Sequence, residues 1–144
     1  MPLSFDLRPA AKSDIAFCWP IYRDTLKPLM EAPTYWHEAD QRRIVERALA
    51  DAGASILRSQ GTDAGWLHVE ENSQVIGLKQ LLVLPALRNR GLGTSLLGWM
   101  KERADRKRKD LIVEVMANSP ARGLLERLDF KAVPGSSRTV TMRY

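Results

Sequence analysis

The sequence predicts a mixed α/β (α+β) fold, and three observations support this class. The chain has 144 residues, the usual size of one domain, so a single domain over residues 1–144 is expected. Its 44% hydrophobic and 27% charged residues are typical of a folded globular protein. Segments with the two-residue period of strands alternate with segments of helical spacing, in the order β-α-α-β-β-β-α-β-α-β-β.

The first third of the chain predicts one strand and two helices. Leu3–Arg8 alternates apolar and polar residues, which indicates a half-buried strand. A helix with Ser13 as its N-cap continues to Leu26, and Pro20 should kink or split it. The second helix covers about Glu38–Ala52 and stops at a glycine. Its apolar face consists of Ile44, Val45, Ala48 and Leu49.

The rest of the chain predicts six strands and two helices. The first three of these strands have short connections and form an antiparallel meander. Ser119 followed by Pro120 is a good start for the last helix, as N-cap and first helical residue. The predicted bounds are 54–58, 65–70 and 75–84 for the meander, 91–106 for a helix, 111–115 for a strand, 120–128 for the last helix and 132–144 for two final strands.

The composition excludes several classes of protein. The apolar runs of the sequence, such as Leu81–Leu84, are far shorter than the roughly 20 residues that a membrane-spanning helix needs. Asp6 and Arg8 stand where a signal peptide would be apolar, so a cytoplasmic protein is expected. The single cysteine, Cys18, cannot form an internal disulfide and is expected in the core. The two histidines have no metal-ligand spacing, so no metal site is expected.

The net charge of +5 is unevenly distributed. Residues 86–109 contain eight basic and two acidic side chains, a local charge of +6, so the rest of the chain is close to neutral. An anionic partner should therefore meet this segment. Its second part, Lys101–Lys109, is expected to face water and to complement the negative end of a helix. Because no aromatic residues interleave with these charges, contact with RNA or DNA is the less favoured alternative.

The most informative stretch is an apolar strand that leads into a basic, glycine-bearing loop and then directly into a helix. It reads LLVLPALRNRGLGT over residues 81–94. Amides in the first turn of a helix have no internal partner, that end of the helix is positive, and glycines let a ligand approach the backbone. The stretch therefore predicts a cradle for a pyrophosphate. It lacks the lysine of a P-loop, and Leu96 stands at the third glycine of the dinucleotide fingerprint.

This stretch resembles motif A of the GNAT superfamily of acyl-CoA-dependent N-acetyltransferases, Gln/Arg-x-x-Gly-x-Gly/Ala, which here covers Arg88 to Gly93. Residues 118–130, NSPARGLLERLDF, resemble the family's Asn-x-x-Ala-x-x-Leu-Tyr-Glu-Lys-Leu-Gly-Phe, and Leu7–Ala10 matches its usual beginning. The resemblance implies a mostly antiparallel central sheet of six to seven strands, four flanking helices and a splayed strand pair that holds the cofactor. It also implies acetyl-CoA as acyl donor and direct attack by a primary amine in a ternary complex.

The family's cofactor contacts carry over by position. The strand would offer backbone groups to the pantetheine arm, and the loop and first helical turn would hold the pyrophosphate through amides, with arginines adding charge. Either Asn118 or Ser119 would contact the pantetheine or the acetyl end. The implied cofactor-binding residues are Leu81, Leu82, Val83, Arg88, Asn89, Arg90, Gly91, Leu92, Gly93, Thr94, Asn118 and Ser119.

Two positions depart from the family pattern. Leu125 replaces the tyrosine that often protonates the departing thiolate, and Asp129 replaces a glycine. A thiol leaves readily near neutral pH, since its ordinary pKa is about 8.5, so this loss should slow turnover without preventing it. We therefore expect Leu125→Tyr to preserve or raise activity.

The acceptor amine must lose a proton, and no motif marks the group that removes it. The candidate carboxylates are Glu31, Glu70, Glu71 and Glu114. Glu114 is preferred as general base because it alternates with valines on a short strand beside the cofactor segment. On the acceptor side, Glu31, Tyr35 and Trp36 are candidate substrate contacts, although the two aromatic residues suit a core equally well. His68 is expected at the surface.

Three functions stay open at this level. N-acetyltransferase is favoured, a CoA-binding protein with weak or no catalysis comes second, and a nucleic-acid-binding module that uses residues 101–109 comes last. The acceptor amine could belong to a small molecule, an amino acid, a protein N-terminus or a lysine. A homodimer is a reasonable assembly because two-fold dimers are the commonest oligomers.

Overall fold

The computed structural model describes residues 4–30, 36–133 and 139–144. Within these ranges the strands form a seven-stranded sheet in the order β1-β2-β3-β4-β5-β7-β6. The strands are β1 (Asp6–Pro9), β2 (Ala54–Ser59), β3 (Thr62–Glu71), β4 (Val75–Val83), β5 (Asp110–Met116), β6 (Lys131–Val133) and β7 (Thr139–Arg143). Only β4 and β5 are parallel neighbours, so the expected mixed, mostly antiparallel sheet is confirmed.

Four helices cover the two faces of the sheet. They are α1 (Ile15–Leu26), α2 (Glu38–Leu49), α3 (Leu92–Lys107) and α4 (Ala121–Arg127). Residues of α3 and α4 pack on one face, which we call the α3 face, and residues of α1 and α2 pack on the other, the α1 face. Neighbouring residues of β3, Trp66 and Leu67, are buried in opposite clusters, as the two-residue period of a strand requires. None of the helices in the described ranges is long and apolar enough to cross a membrane.

The first helix differs from the prediction in two details. Ser13 is not its N-cap, because Lys12–Asp14 form a 3₁₀ turn and α1 begins at Ile15. The hydrogen bond from Arg8 (2.9 Å) and that from the Ala11 amide (2.8 Å) both lower the pKa of the Asp14 carboxyl group. Pro20 does not split the helix, since the residues on both sides of it are buried and hold the backbone in place. Cys18 lies in the core as expected, and burial raises its pKa to about 12.

Two apolar side chains are more exposed than their spacing predicts. Ile44 is 43% exposed, because Val45, Ala48 and Leu49 alone fill the buried stripe of α2. Trp99 is 37% exposed and meets Phe5 edge to face, with ring centroids 6.1 Å apart. The other elements agree with the predicted bounds within about three residues, and the turn predicted between the last two strands lies in residues 134–138, outside the described ranges.

A bulge in the middle of β4 has the largest consequence for the site. Val69 pairs with Leu78 and His68 with Gln80, so Lys79 has no partner on β3. The extra residue inverts the alternation of the strand. Leu78 is buried on the α3 face before the bulge, and Leu82 is buried on the α1 face after it.

Candidate active site

Beyond the bulge, β4 and β5 separate and leave an opening that we call the fork. Their parallel pairing ends at Leu78 and Val113. Residues 80–83 of β4 then pair with β3 alone, and residues 114–116 of β5 pair with β7 alone. In the described part of the chain, the backbone groups of β4 that face the fork therefore have no strand partner. Such an unpaired edge can bind an extended ligand through main-chain hydrogen bonds.

The loop after β4 presents a group of unpaired amides. Asn89 and Gly91 both have left-handed backbone conformations, with φ of 60° and 85°. The first hydrogen bond of α3 runs from the Ser95 amide to the Gly91 carbonyl (2.9 Å). Among the described residues, the amides of residues 89–94, which we call the cradle, donate to no backbone oxygen. Alternating left-handed residues that lead into a helix N-terminus have the geometry of concave anion sites, and pyrophosphate binding by the cradle stays a prediction.

The side chains of the cradle leave its amides accessible. Leu92 points into the core and is 3% exposed. A Cβ atom at Gly93 would lie 3.9 Å from Leu124 Cδ2, so the protein itself has room for a side chain there. Thr94 and Arg90 line an open groove of about 970 Å³ beside α3. Arg90 forms no ion pair with any residue the structure describes, and its charge is available to an anion.

Arg88 has a different role from the one predicted. Its Nε donates to the Val83 carbonyl (3.0 Å), and its Nη2 donates to the hydroxyl of Thr25 (2.6 Å). The Val83 carbonyl, at the end of β4, is free to accept the hydrogen bond from Arg88. Through its second contact Arg88 also connects α1 to this strand. Arg88 thus forms hydrogen bonds within the chain, whereas Arg90 forms no ion pair with the described residues.

Asn118 and Ser119 also make internal contacts. The Asn118 side-chain amide donates to the Leu29 carbonyl (3.0 Å), and the Ser119 hydroxyl accepts from the Ala121 amide (3.2 Å), in the capping role that the sequence predicts. Arg88 follows one arm of the fork and Asn118 follows the other. Both hold the segment Thr25–Leu29 at the end of α1, which therefore connects the two arms on the α1 face.

Glu114 lies where the fork begins. Its neighbours Val113 and Val115 pack on the α3 face, so Glu114 points to the α1 face. There its Oε1 lies 3.2 Å from Nζ of Lys79, the bulge residue. The two side chains are 50% and 37% exposed and can be reached from solvent. This position, on a strand beside the cofactor segment, agrees with the sequence prediction, and the role of general base stays a prediction.

The remaining acceptor-side residues have mixed outcomes. Glu31 and Tyr35 lie outside the described ranges. Trp36 is 8% exposed and stacks on Trp19 with ring centroids 6.2 Å apart, which favours the core alternative. His68 is more buried than expected. Its Nε2 lies 2.7 Å from Oδ2 of Asp51, and this hydrogen bond lowers the pKa of the aspartate.

Glu71 holds the basic end of α3 and is unsuitable as a proton acceptor. Its carboxylate lies 2.8 Å from Lys107, 2.7 Å from Lys109 and 3.5 Å from Arg103. Hydrogen bonds from Lys107 and Lys109 lower the pKa of Glu71 to about 2. The expectation that residues 101–109 simply face water is therefore wrong for these side chains, because the end of β3 brings a carboxylate to them.

Leu125 is a core residue. It is 2% exposed and packs in the α3-face cluster with Phe130 and Met142. Because Leu125 is buried, a tyrosine at this position is expected to lower the stability of the core, and the expectation that Leu125→Tyr preserves or raises activity stays a prediction. No group of three or more His, Cys, Asp or Glu side chains in the described residues is arranged to hold a metal ion.

Sequence reasoning missed Lys79 and Thr25. A signal for Lys79 exists, because the polar pair Lys79–Gln80 interrupts an otherwise apolar strand at the point where its alternation inverts. Thr25 carries no such signal. Its contact with Arg88 joins residues 63 positions apart in sequence.

The chain matches the family model described as the acetyltransferase (GNAT) family over residues 16–130. Solved structures similar to it include the PaiA N-acetyltransferase of Thermoplasma acidophilum in complex with coenzyme A (TM-score 0.71, 12% identity, 98% of each chain covered). An acetyltransferase of Thermus thermophilus has a TM-score of 0.67 at 21% identity, covering 98% of this chain and 96% of the other. YncA of Salmonella typhimurium with its cofactor acetyl-CoA has a TM-score of 0.62 at 16% identity, with 97% and 92% covered. No curated protein matches significantly.

Proposed function

Because the chain belongs to the acetyltransferase (GNAT) family, we propose that it transfers the acetyl group of acetyl-CoA to a primary amine by direct attack in a ternary complex. The observation that carries this proposal is the open fork between β4 and β5 beside the unpaired amides of the cradle. The cradle binds the diphosphate, and the fork binds the extended pantetheine chain. These are the two parts of coenzyme A that precede its thioester.

Both backbone groups and side chains hold the cofactor. The amides of the cradle and the charge of Arg90 hold the pyrophosphate. Residues 81–83 of β4 hold the pantetheine arm, which runs along the strand toward the bulge. The thioester thus reaches the beginning of the fork, where Glu114 and Lys79 lie. A backbone amide of β4 in this region polarises the thioester carbonyl.

The chemical step needs a proton acceptor and a leaving group. The amine nitrogen attacks the carbonyl carbon, a C–N bond forms, and the C–S bond breaks to release the thiolate. Glu114 accepts the proton that the amine loses, directly or through a water molecule. The thiolate leaves without help from position 125, since Leu125 has no proton to give, and solvent protonates it afterwards.

The proposal is tested by titrating the protein with CoA in a calorimeter and by measuring CoA release from acetyl-CoA with a panel of amines. We expect CoA to bind and at least one amine to accelerate its release. Glu114→Gln should lower kcat by about 100-fold and leave CoA affinity unchanged. The matched control Glu46→Gln removes an exposed carboxylate of α2 and should leave kcat unchanged. A protein without affinity for CoA would contradict the proposal.

A second candidate function is CoA binding without catalysis. The buried Leu125 favours it, since no hydroxyl stands where the family often has one. Under this function CoA binds in the calorimeter but no amine accelerates its release. Nucleic-acid binding is a third outcome of the same tests. It would require that oligonucleotides raise the melting temperature and acetyl-CoA does not.

A further inference from the structure

The ammonium group of Lys79 lies beside the carboxylate that the proposed function assigns as proton acceptor. It lies 3.2 Å from the Glu114 carboxylate, and the bulge places it at the point where β4 leaves β5. It is a primary amine with a base beside it, at the end of the route along which the fork would guide a thioester. These are the components of the proposed reaction, already assembled within the chain.

Most of the other lysines in the described residues lack this arrangement. Lys107 and Lys109 are bound to Glu71, far along β3 from the fork. Lys101 donates to the Leu128 carbonyl (2.8 Å) and lies 4.4 Å from the centroid of the Tyr144 ring. Lys12 and Lys131 form no ion pair with any described residue and serve as references for ordinary surface lysines. Lys27, in the segment that connects the two arms of the fork, also forms no ion pair with any described residue. Among the described lysines, Lys79 is thus the one that lies at the fork beside a carboxylate.

We infer that Lys79 is itself an acetyl acceptor. The protein acetylates this side chain with acetyl-CoA bound in the same active site. This inference rests on the proposed function. Glu114 first accepts a proton from the Lys79 ammonium group, and the neutral nitrogen attacks the thioester carbon. The new C–N bond replaces the C–S bond, CoA leaves as the thiolate, and the second nitrogen proton passes to solvent. The product is Nε-acetyl-lysine at position 79.

Acetylation would change the state of the fork. An acetylated Lys79 has no positive charge, so its ion pair with Glu114 disappears. The carboxylate is then available to bind the ammonium group of an external acceptor. Modification at Lys79 would therefore prepare the site for other amines.

The test is to incubate the full chain with acetyl-CoA and no added amine, and to digest it with trypsin at intervals for mass spectrometry. Trypsin does not cleave after acetyl-lysine, so modification at Lys79 yields a peptide of residues 59–88 that carries one acetyl group. We expect acetylation at Lys79 to be at least about tenfold faster than at Lys12 and Lys131. Its rate constant should not depend on protein concentration, since the reaction is intramolecular.

Two variants complete the test. Glu114→Gln should slow acetylation at Lys79 by about tenfold or more and leave the slow rates at Lys12 and Lys131 unchanged. Lys79→Arg keeps a cation beside Glu114 but removes the acceptor, so peptide 59–88 with an acetyl group should be absent.

The outcomes separate this inference from the proposed function. If Lys79 reacts at the rate of Lys131, or if Glu114→Gln does not slow it, the inference is wrong, although CoA binding and amine-dependent release can still be present. If CoA does not bind in the calorimeter, the proposed function itself fails, and any acetylation at Lys79 would be nonenzymatic.

Discussion

The two ends of helix α3 are both basic in sequence, yet only one of them is open. At the N-terminal end the amides of residues 89–94 donate to no backbone oxygen among the described residues, and Arg90 has no ion-pair partner there. At the C-terminal end Glu71 binds Lys107 and Lys109. The comparison shows that a count of charges along the chain does not locate an anion site. A candidate anion site is found instead by identifying the hydrogen-bond donors that lack a partner.

The backbone makes the same distinction. Arg108 closes the C-terminus of α3 in a left-handed conformation (φ 54°), and the Lys109 amide donates to the Ala104 carbonyl (3.0 Å), which satisfies a carbonyl at the end of the helix. Gly91 is also left-handed at the N-terminus, but there the turn directs amides outward. A left-handed residue is therefore found both at the end where a backbone carbonyl is satisfied and at the end where backbone amides stay unpaired.

The largest effect is expected for Gly93→Glu, which places a carboxylate among the amides of the cradle. Two like charges about 4 Å apart repel by roughly 4 kcal/mol at an effective dielectric constant of 20, so CoA affinity should fall by at least about 100-fold. An acidic residue in the first turn suits a helix, and the melting temperature should not fall. Calorimetry measures the affinity. Arg106→Gln makes the same change in net charge at the closed end, and an equal loss there would contradict the comparison.

Leu125→Tyr tests the packing behind the cradle. Overpacking and a buried hydroxyl should lower the free energy of unfolding by about 1–3 kcal/mol, because Leu125 is 2% exposed. Denaturant unfolding measures this change. Leu125→Met nearly conserves the volume and should cost less. A tyrosine variant as stable as the original chain would show that the core has room for the family's hydroxyl.

Arg90→Gln should weaken CoA binding by about tenfold, which corresponds to about 1.4 kcal/mol for a charge-assisted contact with phosphate. The loss should shrink as salt is added, since this arginine is exposed. Titrations at two salt concentrations measure both effects. Arg106→Gln is again the matched control and should change the affinity less than twofold. Equal effects of the two substitutions would mean that only the overall field matters.

Glu71→Gln should destabilise the closed end by about 1 kcal/mol and leave CoA affinity unchanged. The pKa of Glu71 is lowered from its ordinary 4.5 to about 2, so its contribution to stability is complete above about pH 4.5 and is lost as the pH falls toward 2. The difference in melting temperature between variant and original should therefore shrink over this range. A difference that persists at pH 2 would point to packing instead of charge.

Much of the fold and the unpaired amides of the cradle could be predicted from the sequence, because both depend on local patterns. The strand, the glycine-bearing loop and the unpaired amides of residues 81–94 follow from residue types within one turn of a helix. Ser119 caps α4 for the same reason. Other side-chain contacts, around the fork and at the end of α3, depend on residues that are distant in sequence. The contacts of Arg88 with Thr25, Asn118 with Leu29, and Glu71 with its basic partners join residues between 32 and 89 positions apart in sequence.

The sequence by itself determined which segments form strands and helices and where a diphosphate would find free donors, since hydrophobic period and helix ends are local properties. The tertiary structure alone decided that Lys79 bulges from β4 and meets Glu114, that Leu125 is buried, and that Glu71 neutralises the far end of α3. The physical reason is that strand register and the packing of the two faces fix these neighbours, and both arise only when segments far apart in sequence come together.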